Sequence, residues 1–258
     1  MPSNLRLAEI LRPVVNLREH SGWQTHVRPG GFEPVGIIIH HTAGKNDLST
    51  VINGRSDLPG PLSNLYFDRD GDFPVTLVSA GRCNHAGAGA SLVLDEARDG
   101  KAAGPDAAAR NLSDGPNGNF FFYGFEAENL GDGVQPWPAE QYSSMAAAAA
   151  AICLSHGWNA GHVIGHREWT RRKIDPRGFS MGAFRADVQS RITNHPLEDD
   201  VLTTEQAATL QLAFEQARDA KNYAMAALQA IQSLSGAGVD LDALAEKVAN
   251  VLAQRLAD

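Results

Sequence analysis

"VGIIIHHTAG", residues 35–44, places Val35, Ile37, Ile38 and Ile39 in one short apolar run between Pro34 and Gly44. A run this short and this rich in β-branched side chains suits a strand buried on both faces, the kind found inside a parallel or mixed sheet covered by helices. It ends in two histidines, His40 and His41. Successive strand side chains leave opposite faces, so the two rings are not expected to reach one common point.

Outward from that strand the chain alternates further elements. "NLYFDRDGDFPVTLVSAGR" contains two β-rich runs around Arg69, Asp70, Gly71 and Asp72, a hairpin pattern with Asp-Gly at the turn. "NFFFYGFEAEN" reads as another strand. The intervening segment 86–119, rich in Gly, Ala, Asp and Pro and weak in periodicity, reads as a long surface insertion of the kind that rims or lids a binding site. "AEQYSSMAAAAAAICLSHGW" predicts an alanine-rich helix ending at Gly157, and "MGAFRADVQSRI" a second. The expected class is α/β, a mixed central sheet flanked by helices.

With 258 residues, 43% hydrophobic and 20% charged, the chain can bury a sizeable core and add an appendage. A net charge of -8 disfavours a nucleic-acid binder that works by phosphate neutralisation, and also adhesion to anionic membranes. No apolar run is long enough for stable membrane insertion. The first 20 residues mix Arg, Glu and Pro into their apolar positions, unlike a signal peptide, so synthesis in a cytoplasm is expected. Cys83 and Cys153 are too few and too far apart for a disulfide framework, and both read as reduced and structural.

The charge is uneven. From Pro196 onward ten acids face four bases, which accounts for -6 of the -8. Leu210, Phe214, Ala217, Lys221, Ala224, Leu228 and Ile231 recur at alternating spacings of four and three, a heptad seam with one cationic interruption. After "SGAG", Asp240 caps a final helical pattern. We therefore divide the chain into an N-terminal segment (1–22), a main domain (23–196) and an acidic helical tail (197–258). The tail's heptads and scarce aromatics favour homo-oligomerisation over carbohydrate binding.

"GHREWTRRKIDP", residues 165–176, raises the question of chemistry. Its bland reading is a solvated loop whose Arg, Lys, Glu and Asp pair with one another in water. The other is a metal site. Catalytic zinc takes three protein ligands and leaves a position for water. His166 and Asp175 lie too far apart for one helical turn, but a loop framed by Gly165 and Pro176 can fold back on one ion, with a third ligand from His40 or His41.

In order, "IIIHHTAG", "RDGD", "AGRCNHAG", "GFEAEN" and "GHREWTRRKIDP" resemble the amidase type 2 family, which includes peptidoglycan-recognition proteins, over roughly Trp23 to Ile192. The pattern is most similar to endolysins of phages that infect actinobacteria. The resemblance implies a zinc-dependent N-acetylmuramoyl-L-alanine amidase with His40, His166 and Asp175 as metal ligands. It implies Glu126 as general base and Lys173 as the cation that stabilises the oxyanion. Glu128 is a rival for the base and otherwise a substrate contact, together with Asn129 and His85. Some relatives use a tyrosine on the strand before "RDG"; the corresponding position here is Ser63, and Tyr66 falls in a different register. Trp169 is expected to pack beneath the loop, and the arginines to be rim charges.

The implied partner is peptidoglycan. An endolysin of this kind is made in the host cytoplasm and depends on a holin-type membrane lesion to reach the wall. Two alternatives remain at this point: a non-catalytic peptidoglycan-recognition module, and a bacterial cytoplasmic amidase of wall-fragment recycling.

Overall fold

A computed structural model of the chain describes residues 6–102 and 104–194. The heptad tail, 197–258, and His195 lie outside the described residues. In chain order the elements begin with α1 (Leu7–Leu11), β1 (Leu17–Glu19), β2 (Gly36–His41) and α2 (Leu48–Asn53). Then come β3 (Gly54–Arg55), β4 (Leu58–Pro59), β5 (Leu65–Phe67), β6 (Val75–Leu77), β7 (Ala88–Ala90) and α3 (Ser91–Arg98). They are followed by β8 (Asp114–Asn117), β9 (Phe122–Ala127), α4 (Ala139–His156), β10 (Val163–Gly165), α5 (His166–Trp169) and α6 (Met181–Asn194).

Six strands form the main sheet in the order β1-β6-β5-β9-β2-β10, and β3-β4 and β7-β8 form two small ribbons. Only the β5-β6 hairpin is antiparallel within the main sheet; β1-β6, β5-β9, β9-β2 and β2-β10 are parallel. The sheet is therefore mixed, and every residue of β2 is buried, as the apolar run at 35–44 implied. Burying one such isoleucine contributes about 1.5–3 kcal/mol.

Alternation along the strands sorts the two faces. Ile37 and Ile39 of β2, Tyr123 and Phe125 of β9, and Leu65 and Phe67 of β5 share a core with α1, α4 and α6. The alanines of α4, Ala146 and Ala148 to Ala150, are buried in this layer, where small side chains let a helix lie close to a sheet. The helix ends at Gly157 in the left-handed conformation. Its Gln141 donates to the carbonyls of Phe67 (3.1 Å) and Glu128 (3.0 Å), tying the helix to the ends of β5 and β9. Residues before Trp23 belong to the same body: Leu7 and Leu11 are buried in that core, and β1 pairs with β6.

The opposite face carries Ile38, Phe122 and Ile164 against α3 and Trp169. This corrects the reading of 86–119 as a surface insertion. Val93, Leu94 and Ala97 make a short helical stripe that is buried on the sheet, and β7 and β8 pair across the segment. The small residues that lowered its periodicity are there for packing, since a Cβ at Gly89 would come within 2.1 Å of the Trp169 indole. Trp169 does lie beneath the loop, with Nε1 donating to Gly87 O at 3.2 Å.

Candidate metal centre

The site grows from the register of β2 and β10. Gly165, the last residue of β10, pairs with Ile39, so the next residues on the two strands, His166 and His40, arrive side by side. His40 leaves β2 on the face of Ile38. His41 leaves on the other, where its Nδ1 accepts the Arg177 N–H at 3.2 Å.

Asp175 returns to the same point because Arg167 holds its backbone. The Arg167 N–H donates to Asp175 O at 2.7 Å, and its guanidinium donates to the carbonyls of Pro176 and Phe179 (3.1 Å for the latter) while pairing with Asp106 at 3.0 Å. Arg172 bonds Asp114 and the Ala88 carbonyl. Arg167 and Arg172 are therefore structural ties, not free rim charges. Glu168 anchors α5: it accepts the Gly165 N–H at 2.8 Å and both arms of Arg185 from α6, at 2.8 and 2.9 Å.

Three atoms converge. His40 Nδ1 lies 2.9 Å from His166 Nδ1, and each lies 3.0 Å from Asp175 Oδ2. Among the described residues these three form the cluster of His, Cys, Asp or Glu able to hold a metal ion. His166 Nε2 stands 3.1 Å from Ala86 O, which can only accept, so Nε2 carries the proton and Nδ1 presents a lone pair. Burial, then the neighbouring His166, pushes His40 down to about 4, so its ring is neutral at neutral pH. A set of two imidazole nitrogens and one carboxylate oxygen suits zinc. The spacings come close to the roughly 3.3 Å edge of a tetrahedron with bonds of about 2 Å. The residues fit the ion the resemblance implies.

Around this cluster stand the other expected residues. Glu126 pairs with His40 in the β2-β9 register, on the same face. Burial, then the charge of Asp175, pushes its carboxyl well above the usual range, with Lys173 opposing. Its Oε2 is buried without a hydrogen-bond partner. Lys173 is exposed on the turn before Asp175, and its charge is felt at both His40 and Glu126. His85 Nδ1 sits 2.9 Å from His40 Nε2.

Glu128 and Asn129 are buried with partners inside the protein. Glu128 accepts the Tyr66 hydroxyl, and Asn129 Oδ1 accepts the Gly131 N–H at 2.9 Å. Ser63 is fully buried and donates to Gly124 O at 2.9 Å. Tyr66 stands opposite Glu126 in the β5-β9 register. Sequence reasoning passed over Asp47, whose Oδ2 is also buried without a partner and whose charge raises Glu126. It follows the histidine pair by only six residues, in a turn where Ala43 and Asn46 adopt positive φ (59° and 56°). Such backbone strain concentrates at functional sites, although the sequence does not display it.

Residues 30–178, which hold every residue of the site, match the Amidase_2 family, described as N-acetylmuramoyl-L-alanine amidase. Among solved structures, the chain is similar to the endolysin N-acetylmuramoyl-L-alanine amidase LysCS from Clostridium intestinale URNW, with 16% identity and a TM-score of 0.45 over 67% of this chain and 94% of that one. It is similar to the selenomethionine derivative of AmpD at 18% identity and a TM-score of 0.43, over 66% of this chain and 98% of that one. A third likeness is to AmpDH3 from Pseudomonas aeruginosa in complex with anhydromuramic pentapeptide, at 18% identity and a TM-score of 0.43, over 65% and 64% of the two chains. No curated protein matches.

Proposed function

Because the chain belongs to the N-acetylmuramoyl-L-alanine amidase family, we propose that it is a zinc-dependent phage endolysin that cuts the amide between the lactyl group of muramic acid and the L-alanine of the stem peptide. The observation that carries this reading is the convergence of His40 Nδ1, His166 Nδ1 and Asp175 Oδ2 beside an unpartnered buried oxygen of Glu126.

His40, His166 and Asp175 would hold the zinc ion, which when bound supplies a Lewis acid for the carbonyl and a lowered pKa for water. Glu126 takes the proton from the attacking water and delivers it to the leaving alanine nitrogen. Its lack of a hydrogen-bond partner leaves the oxygen free for that exchange. Lys173 balances the negative charge that develops on the carbonyl oxygen. Tyr66, opposite Glu126 in the strand register, is held by its hydroxyl to Glu128.

The endolysin reading carries two further proposals. A holin-type lesion gives the protein access to the wall, and the 197–258 tail assembles subunits. No helix among the described residues is long and apolar enough to cross a membrane.

Digestion of purified peptidoglycan tests the activity. New alanine N-termini without new reducing sugar ends are expected. Binding to the wall with neither product would replace the enzyme by a recognition module, and new reducing ends would indicate a glycosidase.

A further inference from the structure

Each candidate ligand histidine has its second ring nitrogen backed by the same short segment, His85 to Gly87. His40 Nε2 meets His85 Nδ1 at 2.9 Å, and His166 Nε2 meets Ala86 O at 3.1 Å. The far side of His85 is also fixed, because its Nε2 lies 3.0 Å from Phe122 O. A backbone carbonyl only accepts, so His85 carries its proton at Nε2 and offers a lone pair at Nδ1. His40 must then carry its proton at Nε2 and present a lone pair at Nδ1, toward His166 and Asp175.

The segment is held by one side chain. Asn119 Oδ1 accepts three successive backbone N–H groups, those of His85 (3.0 Å), Ala86 (2.8 Å) and Gly87 (3.2 Å). Asn119 is buried. The His85 ring lies against the sheet over Gly124, where a Cβ would come within 2.7 Å of its Cγ. His85 therefore has both ring nitrogens engaged within the protein, one of them on His40.

We propose that His85 is a positioning residue that sets the tautomer and orientation of His40, and that Asn119 is the clamp through which one segment presets both histidines for a divalent cation. This rests on the reading of His40, His166 and Asp175 as metal ligands. Without the Nδ1 acceptor of His85, His40 is free to move its proton to Nδ1 and donate to Asp175. The ring then competes with the ion it should bind. Loss of such a partner behind a ligand typically weakens metal binding about 10- to 100-fold.

The experiment compares wild type with His85→Leu, His85→Asn and Asn119→Leu. Long-range 1H–15N spectra of the metal-free proteins at pH 8 report the histidine tautomers, and competition with a chromophoric chelator reports zinc affinity. Wild type should show His40 and His166 protonated at Nε2. His85→Leu should alter the His40 tautomer alone and weaken zinc about 10- to 100-fold. Asn119→Leu should disturb both rings. His85→Asn, whose Oδ1 overlies the lost Nδ1, should restore the His40 tautomer and most of the affinity. A purely structural role would lower the melting temperature in every variant without this pattern. An unchanged His40 tautomer in folded His85→Leu, with wild-type zinc affinity, would overturn the proposal. If wild type binds no zinc, the metal reading fails, and the tautomers of the metal-free proteins still decide the role of His85.

Discussion

His40 and Glu126 face one another across neighbouring parallel strands, β2 and β9, and both side chains leave the sheet on the face opposite α4. That pairing puts a candidate metal-ligand nitrogen and a carboxylate with one unpartnered oxygen on one rigid support, so their separation is set by the strand spacing of the sheet. Sites built on strands hold such geometry better than sites on loops.

Glu126→Gln keeps the shape and removes the proposed base. Hydrolysis should fall by about 10²- to 10⁴-fold, the usual contribution of general acid–base catalysis. Metal content should not change. Because Glu126 Oε2 is buried without a partner, the melting temperature should stay level or rise. A variant that loses metal would instead make Glu126 a ligand.

Lys173→Ala should lower kcat by about 10²- to 10³-fold, if the ammonium acts on charge that develops only in the transition state. KM and zinc content should stay near wild type, and steady-state kinetics with a soluble muramoyl peptide would read both. An effect confined to KM would move Lys173 from the chemistry to substrate binding.

The Glu168–Arg185 pair anchors the helix that begins with His166. Both residues are buried, so Arg185→Ala leaves an uncompensated carboxylate and should cost about 3–5 kcal/mol of stability. Urea denaturation measures this. Exchange of the pair for Gln and Met together should cost less than the single change, because no charge is stranded.

The pH dependence of stability follows from the buried imidazoles. Burial first, then His166, lowers His40 to about 4, and burial lowers His156 and His162. A lowered histidine stays neutral in the folded protein while the unfolded chain takes up a proton. Stability is therefore complete above about 6.5 and declines as pH falls toward 4, with a share from His40 of about 3 kcal/mol. Glu126, raised in the folded state, works in the opposite direction as it protonates. The melting temperature of chelator-treated Glu126→Gln, which lacks the opposing carboxyl, should fall steadily between pH 7 and pH 4.5; a flat profile there would contradict the burial of these rings.

The sheet was readable from sequence because β-branched runs and strand alternation are local properties; "VGIIIHHTAG" alone separates His40 from His41 by face. The α4 helix was equally readable from its alanines and Gly157. Segment 86–119 was not, because its helix is short and its glycines, which look like loop residues, serve close packing on Trp169. Arg167 and Asn119 escaped for a different reason. They act on backbone groups of residues distant in sequence or at a turn, and nothing in a side chain's type reveals which carbonyl or N–H it will meet. Tyr66 and Glu128 likewise form a pair 62 positions apart that only the strand order brings together.

The most direct test measures zinc content and peptidoglycan cleavage on the same samples of wild type, Glu126→Gln and His166→Ala. About one zinc per chain is expected in wild type and Glu126→Gln, and a loss in His166→Ala, with alanine N-termini released by wild type alone. Full cleavage by metal-stripped wild type, or by His166→Ala without zinc, would contradict a metal-dependent amidase built on these residues.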